Sequence, residues 1–235
     1  MTESKIYLFN FISFESIDTI DTGKNENGMI SISTDPDKTI VAYLAEKQGH
    51  VQIKVYNEDS EPEIKNIRAH SSNVACISLN KKGNLLATAS DNGTLIRIFN
   101  VIDGTRVKQV RRGTENAIIY SISFDMNSKY IVVTSDRATV HLFSIEKNEE
   151  GTNKNQTSFM SKVTKLFNKN SSTYFDSEWS FAKLKINETK CIASFVEENG
   201  FVVVTADGKY YRAKFDPAKG GECTKIDEQV IQVEK

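Results

Sequence analysis

The chain has 235 residues, with 30 lysines and arginines against 31 aspartates and glutamates and 39% hydrophobic residues. This suits a globular protein with one or two cores and excludes disorder throughout. A formal net charge of −1 excludes a global field that would pull the whole molecule onto nucleic acid or an anionic bilayer, so any such binding needs a local patch.

No run of about 18 apolar residues occurs, and Met1-Thr2-Glu3-Ser4-Lys5 does not open a signal peptide, so a cytosolic chain is expected. Cys76, Cys191 and Cys223 are odd in number and lack CxxC spacing; they read as buried thiols, with neither a disulfide framework nor a zinc site.

In chain order, Lys5–Asn10 and Ser16–Ile20 read as the last two strands of a unit whose beginning is missing. Apolar residues around Ile32 and Ile40, then His50–Tyr56, form a first complete unit. Cys76–Leu79, Leu85–Asp91 and Thr94–Phe99 form a second, with turns at Lys82-Gly83 and Asn92-Gly93, and Ser121–Phe124, Tyr130–Asp136 and Thr139–Phe143 repeat it at an offset of 45 residues (Ser78 to Ser123, Asp91 to Asp136). Cys191–Phe195, Val202–Gly208 and Tyr210–Phe215 form the last unit. Short strands recurring at roughly 40–45 residues are the mark of a β-propeller with four-stranded blades. An all-β propeller of the WD40 type is therefore expected, holding about four and a half blades.

Between Ile145 and Trp179 lies an insertion. From Gly151 to Phe175 it carries Lys154, Lys162, Lys165 and Lys169 and no acidic residue. Within it Phe159, Met160, Val163, Leu166 and Phe167 follow the spacing of a short amphipathic helix, whose lysine-flanked apolar stripe suits a membrane surface. Packing of that stripe back onto the propeller is the alternative. A loop of this length in a compact repeat is more often functional or disordered than idle.

At Gln109-Val110-Arg111-Arg112-Gly113, followed by Ile119–Phe124, the sequence resembles the PROPPIN family of propellers, which bind polyphosphoinositides and include the WIPI proteins of autophagy. Arg68-Ala69-His70, Ala87–Phe99 and Thr134–Phe143 are similar to that family's lining strands. Val110 stands where the family signature has an aromatic residue or Leu. Arg137 and Ala138 replace a common Lys and Gly. The resemblance implies a usually seven-bladed ring in which residues 1–24 end blade three, 29–60 form blade four, 66–112 blade five, 116–186 blade six with its long loop 147–177, and 190–233 blade seven. On this reading the chain is a C-terminal portion of a longer product.

Carried over by resemblance, one phosphoinositide site comprises His70, Ser90, Thr94, Arg97 and Arg111, and a second comprises Arg112, Ser135, Arg137, Thr139 and His141. The residue types suit the task. Guanidinium forks bind phosphate oxygens bidentately and stay charged, and hydroxyls add neutral donors. Adjacent residues of an extended segment point in opposite directions, so Arg111 and Arg112 would serve two pockets.

The ligands implied are phosphatidylinositol 3-phosphate and its 3,5-bisphosphate relative. The implied location is cytoplasmic, with recruitment to autophagosomal precursor or endosomal and vacuolar membranes. An autophagy partner such as a lipid-transfer protein is implied too. Ser90, His70 and Asp91 lack a nucleophile elbow, and no Walker or dinucleotide glycine pattern occurs, so neither an enzyme nor a cofactor is expected. Asp91 and Asp136 read as architectural. The alternative function is a WD40 scaffold that never meets lipid; nucleic-acid binding lacks a basic stripe with interleaved aromatics.

Overall fold

A computed structural model describes residues 4–57, 60–146, 155 and 178–231. The insertion's apolar stripe, Phe159 to Phe167, lies outside the described residues. Among the described residues every regular element is a strand, and no helix is long and apolar enough to cross a membrane.

The first two strands, β1 (Lys5–Phe9) and β2 (Ser16–Asp21), pair antiparallel as a hairpin. Four antiparallel meanders follow. The first runs β3 (Ile30–Ile32), β4 (Thr39–Leu44), β5 (His50–Asn57) and β6 (Ser60–Arg68); the second, β7 (Val74–Leu79), β8 (Leu85–Ser90), β9 (Leu95–Asn100) and β10 (Arg106–Arg111). The third contains β11 (Ile119–Phe124), β12 (Tyr130–Ser135), β13 (Thr139–Ser144) and β15 (Ala182–Lys185), and the fourth β16 (Cys191–Glu197), β17 (Gly200–Thr205), β18 (Lys209–Lys214) and β20 (Thr224–Val230). Alternation of β-branched and aromatic residues with polar ones forms these strands, and Gly, Asn and Asp turns separate them.

The first three meanders are apolar on both faces because each packs between two neighbours, whereas the fourth exposes Ile192 and Val196 on the face turned away from the third. Ile6 and Ile20 of the hairpin meet Val41 and Tyr43. Val51 and Ile53 of the first meander meet Ile77 and Leu86 of the second. The other face of the second meander, with Ala87, Ile96 and Val110, meets Ile122, Val133 and Phe143 of the third. Val140 and Leu184 meet Val203 and Tyr211 of the fourth. The leading strands β3, β7, β11 and β16 touch in series, so they form the inner end of the sheets, and the last strands lie at the outer rim. This is the packing of propeller blades.

Two short strands extend the rim. β14 (Glu178–Trp179) pairs parallel with the end of β10, and β19 (Gly221–Glu222) pairs parallel with β15. The run from Trp179 to Ile186, which reads as one strand in the sequence, is therefore divided. Its first residue belongs to the second meander's edge, and the chain crosses at Ser180-Phe181 into the third.

Candidate functional site

Polar side chains fill the seams on either side of the second meander, the first and second clefts, and strand parity decides which residues enter each. On β10, Arg111 pairs with Leu95 and Gln109 with Arg97, while Arg97 also pairs with Thr88 of β8. Residues paired across a ladder share a face, as do residues two apart in one strand. Arg111, Gln109, Arg97, Thr88 and Ser90 thus look toward the first meander, and Arg112 looks toward the third.

The first cleft is closed by the segment after β6. The His70 N–H donates to the Gly49 carbonyl (3.0 Å), and His70 Nε2 shares a 2.9 Å hydrogen bond with Thr88 Oγ1. Arg97 donates from one terminal nitrogen to the Ala69 carbonyl (2.6 Å) and from Nε to Gln109 Oε1 (2.9 Å). Its guanidinium is thus held by neutral oxygens and keeps its charge. Burial, then the neighbouring Arg106, lowers its pKa. His70 is pushed down to about 4 by burial and then by Arg97, so it is neutral at pH 7. Ser90 is buried at the end of β8. Thr94 departs from the expected grouping: its carbonyl accepts the Arg112 N–H (2.9 Å), and the ladder that pairs Leu95 with Arg111 sets Thr94 opposite Arg112, on the side of the second cleft.

The second cleft has the same plan. Arg112 donates from Nε to the Gly93 carbonyl (3.1 Å) and from a terminal nitrogen to the Glu115 carbonyl. Again both acceptors are uncharged, and burial, followed by Arg137, lowers the guanidinium's pKa. Facing it on the third meander are Ser135, Thr139 and His141, all on the face that carries Val133. His141 Nδ1 and Ser180 Oγ lie 2.7 Å apart. Burial, then Lys183 and Arg112, pushes the imidazole down to about 3. Arg137 is exposed; it donates to the Asn116 carbonyl (2.9 Å) and pairs with Glu115 at 3.4 Å.

The structure therefore brings the sequence-derived residues into two groups around one dipeptide. Arg111 and Arg112 are only 4% and 6% exposed, so the dipeptide is not a solvated basic turn. Arg97 and His141 hold equivalent positions, since Thr88 pairs with Arg97 as Val133 pairs with His141. Their spacing is 44 residues (141 − 97) instead of 45, because the turn after Ser135 is one residue shorter than the turn after Ser90.

Sequence reasoning missed Lys183, which pairs with His141 and adds a cation to the second cleft, and its counterpart Gln109 in the first. The 45-residue repeat gives no signal for Lys183, because the insertion separates it from the strands it joins. The aspartates brace loops: Asp91 Oδ2 accepts from Asn73 (3.3 Å), and Asp136 Oδ1 accepts the Ile118 N–H (3.1 Å). No group of three potential metal ligands occurs among the described residues.

The PROPPIN family model matches residues 1–231. The chain belongs to the PROPPIN family. It is 33% identical over 227 residues to autophagy-related protein 18e of Arabidopsis thaliana, covering 96% of this chain and 58% of that relative. It is 29% identical over 245 residues to WD repeat domain phosphoinositide-interacting protein 2 of Xenopus laevis, covering 94% and 54%. This PROPPIN chain thus spans less than two thirds of either relative. Among solved structures, Kluyveromyces lactis Hsv2p superposes with a TM-score of 0.73 at 21% identity, covering 98% of this chain and 69% of that one. That agreement establishes the fold as part of a PROPPIN β-propeller.

Proposed function

We propose that the two clefts bind the phosphorylated headgroup of a membrane phosphoinositide. Phosphatidylinositol 3-phosphate is the first ligand proposed and the 3,5-bisphosphate the second, and the chain acts as a peripheral effector in autophagy or endosomal traffic. The observation that carries this reading is the burial of Arg111 and Arg112 on opposite faces of one strand. Arg112 and Arg97 donate to neutral oxygens; hydroxyls, neutral imidazoles and Lys183 lie around them, and Asp136 and Glu115 act on Arg112 from beyond hydrogen-bond distance. A guanidinium that donates to neutral oxygens keeps its positive charge, and an anion completes the arrangement. Membership of a family whose Xenopus relative is named for phosphoinositide interaction agrees with this.

Binding is the whole activity proposed, with no chemistry on the ligand. The ten residues assigned by resemblance are taken as the two sites, with Lys183 and Gln109 added. Two weak sites on one rim raise overall avidity through effective concentration. The Lys-rich insertion, with Phe159, Met160, Val163, Leu166 and Phe167, is proposed as a further membrane contact, and an autophagy lipid-transfer protein as a partner.

The test is sedimentation with liposomes containing phosphatidylinositol 3-phosphate. Single changes Arg111→Thr and Arg112→Thr should each weaken binding, and the double change should abolish it while leaving the urea-unfolding midpoint in place. A double variant that sediments like the parent chain refutes the assignment.

A further inference from the structure

Trp179 is the chain's single tryptophan, and it stands in an unusual place. β14 is only two residues long, yet it extends the second meander by parallel pairing, with Trp179 in register with Arg111 and Glu178 with Val110. Register partners share a face. The indole therefore lies on the Arg111 side of the sheet, one strand further out, at the rim of the first cleft. It is partly exposed there, whereas Arg111 is buried.

The position is fixed from the other face. Glu178 Oε2 lies 3.0 Å from Lys108 Nζ, and the two side chains are only 12% and 8% exposed. Asn155 Nδ2 donates to the same carboxylate oxygen (2.6 Å) and to the Ser144 carbonyl (2.7 Å), while Asn155 Oδ1 accepts the Ser144 N–H (2.7 Å). Lys108 Nζ also donates to the Ile145 carbonyl (3.3 Å). A two-residue strand has little stability of its own; this buried cluster ties it to β10 and β13. The second cleft differs, because its edge strand places Glu222 in register with Lys183.

We infer that Trp179 is an interfacial lipid anchor for the Arg111 cleft, resting on the proposal above that this cleft holds a lipid headgroup. A membrane lipid presents its phosphate deep in such a cleft and its glycerol and upper acyl region at the mouth. An indole combines an apolar body with one N–H donor, which suits it to that boundary. A soluble inositol phosphate has nothing to offer the rim. Both clefts hold headgroups, but the aromatic edge at the first and the carboxylate edge at the second make the first the one whose mouth enters the bilayer interface.

Because Trp179 is the only tryptophan, its emission reports on this one position. The probe is a phosphatidylcholine vesicle containing a few mole per cent phosphatidylinositol 3-phosphate, with or without brominated acyl chains, and the soluble control is inositol 1,3-bisphosphate. Binding to the vesicles should shift the emission to the blue, and brominated lipid should quench it; the soluble headgroup should leave it open to aqueous quenchers.

Trp179→Ala should weaken vesicle binding about tenfold, the scale of one large apolar side chain losing its apolar surroundings. Its affinity for the soluble headgroup should hold, which also verifies folding, and Trp179→Tyr should restore most of the loss. Sedimentation with unshifted, unquenched emission overturns the anchor while leaving the headgroup reading intact. Equal loss of soluble and vesicle binding in Trp179→Ala, with Trp179→Tyr behaving like the parent, makes the indole part of the pocket and also overturns it. A parent chain that binds neither probe overturns both.

Discussion

Acidification from pH 7 to pH 5 should destabilise the fold by an amount that two histidines set. His70 and His141 are held at about 4 and about 3 in the folded chain, against an unfolded value of about 6.5. Both shifts are depressions, so the folded state binds fewer protons than the unfolded state in this window. The penalty is absent above about pH 6.5, grows as pH falls, and levels off beneath the folded values. At pH 5 each histidine lies about 1.5 units below its unfolded value, which amounts to about 2 kcal/mol apiece and about 4 kcal/mol together. That is a large share of a typical stability of about 5–15 kcal/mol. Glu188, lowered to about 2, acts mainly below this range, because its unfolded carboxyl takes up protons only near pH 4.5 and lower.

Urea titrations at the two pH values read the difference. Replacing His141 with Gln retains a partner for Ser180 Oγ and should remove about half the pH effect; changing His70 as well should remove nearly all of it. Inositol 1,3-bisphosphate should shrink the loss in the parent chain, since an anion between Arg112 and His141 favours the imidazolium. Unchanged stability from pH 7 to pH 5, or a double variant with the parent's full loss, refutes the reasoning.

Gly93→Ala should damage fold and second cleft together. Gly93 has φ +60°, and an added Cβ would lie 1.8 Å from the Ala117 carbonyl oxygen; the left-handed backbone alone costs about 1 kcal/mol, and the displaced Gly93 carbonyl holds Arg112. A lowered urea midpoint and weakened headgroup binding by calorimetry are the expected results. For the buried pair, Glu178→Gln should cost about 3–5 kcal/mol by leaving Lys108 uncompensated, while joining it with Lys108→Met should recover most of that loss; a double-mutant cycle in urea measures both. Replacing Phe159, Leu166 and Phe167 with Asp should reduce liposome sedimentation and spare soluble headgroup affinity, and parallel loss in both assays would refute a membrane role for the stripe.

Much of the propeller was legible because its physics is local and repetitive. The 45-residue offset between Ser78 and Ser123 marks matching strands, and alternation within Ile119–Phe124 and Tyr130–Ser135 gives their pairing. Parity alone separates Arg111 from Arg112. The edge strands were not legible: Glu178-Trp179 carries no alternating pattern, and its pairing with β10 depends on a buried lysine 70 positions earlier (178 − 108) and on Asn155. Lys183 escaped notice for a related reason, since only the observed register sets it beside His141. Long-range polar contacts leave no periodic trace in a sequence.

β10 acts as a party wall between two rooms, and its alternation has a consequence for how the rooms can change. One guanidinium enters from each side because Arg111 ends β10 and Arg112 follows it, its N–H still bonded across to Thr94. Inserting or deleting a single residue between Lys108 and Arg111 would swap their sides, and it would also drive Val110 out of the apolar layer it shares with Ile96 and Val133. Neither arginine can slide along the strand alone. Divergence between the two clefts is thereby confined to their furnishings, and there it is found: Arg97 opposite Gln109 in one, His141 opposite Lys183 in the other, an indole at one threshold and a carboxylate at the next.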